Sequence, residues 1–192
     1  MVETDAAETG GSRMSVMLSI RPEWIDKILS GEKTIEVRKT RPKVPPPFTV
    51  YIYCTKPKFE HEDFFVTDAG TNKIRAFHGG GKVVAEFFCD EIVWHGGESL
   101  IVKEDREAAL DGSCLSREQL FEYLHVSPGS SVYDKRYEFY CWHISDLKVY
   151  DEPKTLNDFY SQSSVFENDA QGHLRLTGMN RPPQSWCYAE ER

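Results

Sequence analysis

Three charged side chains of mixed sign, Lys33, Glu36 and Arg38, fall within six residues of the stretch LSGEKTIEVRKTRPK. On a strand, Glu36 and Arg38 are two apart and share a face, with Lys33 at the turn before it. Such a set can form one wall of a small polar pocket. The carboxylate would accept from a base amino group, and the guanidinium fork would suit phosphate or base edges. The ammonium is a compact charge that becomes a proton carrier if desolvated. The competing reading is structural, a Glu–Arg pair tying the first helix to the sheet. Spacing alone leaves both open.

Other candidates surround this core. Arg21 and Lys27 would extend a basic rim, and Lys39, Arg41, Lys43, Lys56 and Lys58 would track a phosphate backbone or simply solubilise the surface. Trp142, Trp186, Tyr188, Tyr51 and Tyr53 are of the type that stacks on bases, and equally of the type that fills a core. Trp186 is the most open to a ligand role because it follows Pro-Pro-Gln-Ser. Glu86, set among apolar residues, is either a general base or half of a cross-strand salt bridge. His95-Gly-Gly-Glu98 and Cys141-Trp142-His143 lack metal-ligand spacing, and no metal or cofactor is assigned. The run HGGGK at His78 reads as a turn rather than a phosphate loop.

The charge is unevenly spread. The 192 residues carry a formal net charge of −8, which argues against nonspecific coating of nucleic acid. Residues 13–58 nonetheless hold ten Lys/Arg against four acids, a pattern that suggests a local anion site. Five scattered cysteines with no CxxC pair fit reduced thiols in a cytoplasmic protein. No apolar run approaches the ~18 residues of a membrane helix. Residues 1–13 are expected to be a disordered leader, and 14–192 one domain with loop insertions.

The elements that must position these residues follow from periodicity. VMLSI reads as a first strand, and Pro22 suits the first turn of a helix carrying Ile25, Ile28 and Leu29 on one face. Gly31 is placed to close that helix in a left-handed cap. KTIEVRK alternates as a half-buried strand with a charged polar face. FTVYIYCT is the clearest strand, and Lys56–His78 reads as a loop or hairpin insertion. Further strands are expected in GKVVAEFFC, YEFYCWHI and the terminal Trp186-Cys187-Tyr188. A second helix is capped by Ser116 and Gln119, and 161–180 reads as loop.

LSIRPEWIDKILSGEKTIEVRK resembles the start of ASCH domains, a branch of the PUA-like superfamily, with the G-x-K-x-x-E-x-R motif complete from Gly31 to Arg38. VYIYCT, GKVVAEF, WHI and RPPQSWCYAEE extend the resemblance to the longer bacterial and phage members. It implies an α+β fold, a PUA-like small mixed β-barrel with helices packed around it. It also implies a cleft beside the motif for RNA or a nucleotide-like ligand. Lys33, Glu36, Arg38, Arg21 and Trp186 are the expected ligand contacts. The alternative is a hydrolase, either a ribonuclease or an amidohydrolase of an acylated nucleoside, with Lys33 and Glu36 catalytic. The catalytic threonine of the acetylcytidine amidohydrolases falls at Glu36 here, a departure that removes that nucleophile. A protein-interaction or regulatory domain is a third reading.

Overall fold

The structure, a computed structural model, describes residues 14–56, 63–67, 74–96, 104, 107, 110–127 and 137–192. The expected leader, Lys58 and Glu98 lie outside them. In chain order the elements are β1 (Ser15–Ile20), α1 (Pro22–Leu29), β2 (Ile35–Arg38), β3 (Phe48–Cys54), β4 (Asp63–Thr67), β5 (Ile74–His78), β6 (Val83–Cys89) and β7 (Ile92–His95). There follow α2 (Arg117–Leu124), β8 (Phe139–His143), β9 (Ser145–Lys154), β10 (Phe159–Ser161), β11 (Phe166–Asn168), β12 (Leu174–Leu176) and β13 (Trp186–Glu191). No described helix is long and apolar enough to cross a membrane.

The largest sheet has six strands in the order β10-β13-β1-β3-β6-β9, and a second has three in the order β2-β8-β7. β1 and β3 run parallel, with Leu18 opposite Ile52, while β1–β13, β3–β6 and β6–β9 are antiparallel. The parallel pair follows from local chemistry. A crossover is needed to bring the chain back in the same direction, and α1 begins that crossover directly after β1. Pro22 occupies the first helical turn, and Ile25 and Ile28 are buried on the core side. Gly31, at φ +79°, closes the helix with its N–H donating to the Ile28 carbonyl.

The fold is α+β, as expected, but no sheet closes into a barrel among the described residues. β9 and β10 are the two edges of the six-stranded sheet. The two main sheets instead pack through side chains: Phe48 of β3 meets Trp142 of β8 edge-on at 5.9 Å, and Trp142 meets Trp186 of β13 at 6.3 Å. Val16, Leu18, Val50, Ile52, Phe87 and Trp142 belong to this central core. A second cluster, Val37, Leu120, Leu124, Phe139 and Cys141, lies between the three-stranded sheet and α2.

β2 is therefore covered on both sides, which corrects the expectation of a half-buried strand. Val37 faces α2, whereas Glu36 and Arg38, two apart, point to the opposite face, and both are buried. The Lys56–His78 insertion does form a hairpin, β4 paired with β5. Residues 161–180, read as loop, contain another, β11 paired with β12.

Candidate functional site

The charged motif reaches its positions through two short-range constraints. The turn after α1 is fixed by Gly31 and by the Lys33 N–H donating to the Lys27 carbonyl at 2.9 Å. The 110–116 segment then closes over the motif from 80 residues away. The carbonyl of Gly112 accepts from the N–H groups of both Thr34 and Ile35, at 2.7 and 2.9 Å. Glycine is needed there: φ is +69°, and a Cβ would stand 2.3 Å from Thr34 Oγ1.

Lys33 is 3% exposed. Its Nζ donates to the carbonyls of Ile35 and Ser113, both at 2.7 Å, and lies 3.2 Å from Glu36 Oε2. The two carbonyls take hydrogen bonds, and the Glu36 contact is an ion pair that is not aligned as one. The indole of Trp24 sits against the same charge, 5.4 Å from ring centre to Nζ. Glu36 Oε1 faces Arg38 Nε at 3.0 Å in an ion pair that is not aligned as a hydrogen bond. Arg38 also donates from Nη2 to the Ser19 carbonyl at 2.8 Å and from Nη1 to Ser185 Oγ at 3.2 Å. One N–H on each terminal nitrogen is left without an acceptor among the described residues. The motif is thus a buried Lys–Glu–Arg triad that ties β2 to β1, to the segment before β13 and to the 110–116 turn.

The triad is also the floor of a cleft of about 830 Å³. Arg21, Trp24 and Lys27 contribute from the start and face of α1, and Gln119, Glu122, Tyr123 and His125 from α2 and its end. Ser19, Glu23, Lys39 and Gln184 also line it. Five Lys/Arg against three Glu line the cleft, so it is positive in a chain whose net charge is −8. Lys39 extends over the Tyr123 ring, 5.1 Å from its centre. Burial pushes the Tyr123 hydroxyl above its ordinary range, the positive charge of Arg38 pulls it back, and Glu36 adds a smaller upward push.

Of the residues singled out in the sequence, Lys33, Glu36, Arg38 and Arg21 line the cleft, whereas Trp186 is not among the lining residues. The Trp186 indole N–H donates to Thr40 Oγ1 at 2.9 Å, which pins the chain between Lys39 and Arg41. The α2 contribution was not foreseen. The only signal was the capping box of Ser116 and Gln119, which the structure contains and which fixes where α2 starts but not what it faces.

The other candidates stand apart. Glu86 accepts from Lys148 at 3.0 Å and from the Tyr150 hydroxyl at 2.7 Å on the β6–β9 side, a cross-strand salt bridge. His143 pairs with Asp90 at 2.7 Å, and His95 stacks on Phe139 at 4.9 Å. Burial pushes the thiols of Cys89 and Cys141 up to about 12 and that of Cys187 to about 11, so none supplies a thiolate near neutrality. Among the described residues no group of three His, Cys, Asp or Glu is placed to hold a metal ion.

Residues 18–76 match the ASCH domain family. Among solved structures, the chain is similar to a mutant of the ZmASCH protein from Zymomonas mobilis, with 18% identity and a TM-score of 0.53 over 92% of this chain and 88% of that one. The ASCH structure from the same organism aligns at 17% identity and a TM-score of 0.48, over 91% of this chain and 86% of that one. At these identities the first likeness is one of fold. No curated protein matches the chain by sequence.

Proposed function

This chain is an ASCH-domain protein, and from that premise we propose that its cleft binds RNA or a nucleotide-like ligand. The observation that carries the proposal is the placement of two buried cations beneath a cleft ringed by Arg21, Lys27 and Lys39. A volume of about 830 Å³ falls in the ordinary range for ligand sites. The uncommitted N–H groups of Arg38 offer donors to a phosphate or carbonyl oxygen. Gln119 and Gln184 can read polar base edges from the walls, and the Tyr123 ring offers an apolar surface to a base.

The geometry favours binding over hydrolysis. A proton carrier needs a group free to meet the substrate, but Lys33 is 3% exposed, with Nζ bonded to two carbonyls and ion-paired with Glu36, and both Glu36 oxygens face cations. Lys33 and Glu36 then act as a fixed electrostatic floor, and the rim residues make the contacts that distinguish ligands. The test is a fluorescence titration of labelled short RNAs and single nucleotides into the wild type and a Lys39→Ala/Arg21→Ala variant. Binding by the wild type that weakens about tenfold or more in the variant supports the cleft. Equal affinity in both refutes it. Release of product from RNA or an acylated nucleoside, lost on Lys33→Ala, would establish the hydrolase instead.

A further inference from the structure

Beyond Lys39 on the cleft rim, a row of side chains crosses the three-stranded sheet. In the three-stranded sheet, Arg38 of β2 lies opposite Tyr140 of β8, and Tyr140 lies opposite Trp94 of β7. Residues directly opposite across neighbouring strands share a face, so these three form one row, with strands about 4.8 Å apart. The row runs outward. Arg38 is buried, Tyr140 is half-buried, and Trp94 is 51% exposed on the edge strand. Arg41 places its guanidinium over the Tyr140 ring, 5.9 Å from the centre, and is exposed. Only Thr40 separates Arg41 from Lys39 on the cleft rim, and the Trp186 indole holds Thr40 in place.

We propose that the cleft continues along this row as a stacking shelf for single-stranded RNA, with Trp94 as the platform for a base and Arg41 as a phosphate contact. This rests on the reading of the cleft as an RNA or nucleotide site. Two observations converge. A half-exposed indole on an edge strand presents a large apolar face that water does not favour. A base stacked on it would remove that face from water without needing a specific sequence. Arg41 over the row, and Lys39 on the neighbouring cleft rim, have the sign a nucleic-acid backbone requires, in a chain that is acidic as a whole. Within this reading the ligand is several nucleotides long, with one nucleotide seated in the cleft and its neighbour on the shelf.

The experiment compares an eight-nucleotide single-stranded RNA of mixed sequence with the four mononucleotides, titrated into the full chain. The wild type should bind the octamer at least about tenfold more tightly than any mononucleotide. Trp94→Ala should lose about tenfold in octamer affinity, the size of one base–aromatic stack, and leave mononucleotide affinity unchanged. Trp94→Phe should keep most of the octamer affinity. Arg41→Ala should reduce the salt dependence of octamer binding by about one phosphate contact. Circular dichroism on each variant, all at surface positions, checks that the fold is retained. An octamer affinity unchanged in Trp94→Ala, or no preference of the wild type for the octamer, overturns the shelf while the cleft stands. Failure of the wild type to bind either probe overturns both.

Discussion

Glu36 and Glu86 are the same residue in similar local settings, and the molecule uses them differently. Each lies on a strand and each is ion-paired with a lysine, at 3.2 Å for Glu36 and 3.0 Å for Glu86. The partners differ. The Lys33 side chain is 2% exposed and that of Lys148 is 69% exposed. Water solvates Lys148 whether or not the carboxylate is present, so that pair contributes little. Lys33 and Arg38 have lost most of their water, and Glu36 is the only carboxylate paired with either of them among the described residues. Distance alone would rank the two sites as equals. Burial of the cation separates a surface brace from a charged floor beneath a cleft.

The largest expected effect is the most direct way to break this contrast. Glu36→Ala leaves two buried cations unpaired and should cost about 3–5 kcal/mol in denaturant unfolding. Glu86→Ala should cost about 1–2 kcal/mol, chiefly from the lost hydrogen bond of the Tyr150 hydroxyl. Equal losses would mean that burial does not distinguish the sites. Gly112→Ala comes next, at about 1–3 kcal/mol, because a positive φ and the contact with Thr34 both oppose a side chain there. Its unfolding curve also tests whether the 110–116 turn holds Lys33 in place.

A smaller effect sharpens the comparison through pH. Burial pushes the Glu86 carboxyl up, but hydrogen bonds from Tyr150 and Lys148 and the charges of Lys148 and Lys154 outweigh it, leaving it below its ordinary value of 4.5. A carboxyl depressed by folding stabilises fully above its unfolded pKa and loses that contribution as pH falls through the folded one. The stability advantage of wild type over Glu86→Gln should therefore shrink as pH is lowered from about 6 to about 3. An advantage constant over that range would show that the carboxylate charge is not what the site uses. Smallest of all, Lys27→Ala on the cleft rim should leave the unfolding midpoint essentially unchanged and weaken RNA binding only a few fold. A loss as large as that from Lys39→Ala/Arg21→Ala would place the ligand closer to α1 than the floor geometry suggests.

The motif was legible because its signals are local. Gly31 marks the helix end, Pro22 its start, and the alternation from Thr34 to Arg38 places Glu36 and Arg38 on one face. The capping box likewise located α2. What sequence could not supply was the far side of each contact. Arg38 ends on the Ser19 carbonyl and Ser185, and Lys33 on the Ser113 carbonyl, all main-chain or small polar partners with no composition signal. The strand read as half-buried because a charged face usually meets water. Here each charge is offset by another, so the strand could be covered on both sides. The β11–β12 hairpin was missed because each strand has only three residues and Phe166 and Leu174 are exposed, so no buried periodicity marks them.

The central claim is that a ligand enters over the Lys33–Glu36–Arg38 floor and not on the Glu86 side. Hydrogen exchange measured by mass spectrometry, with and without the eight-nucleotide RNA, tests this directly. Protection is expected in peptides covering residues 33–41 and 116–125, with β6 and β9 unchanged. Protection confined to β6 and β9, with the motif and α2 unaffected, would contradict the account.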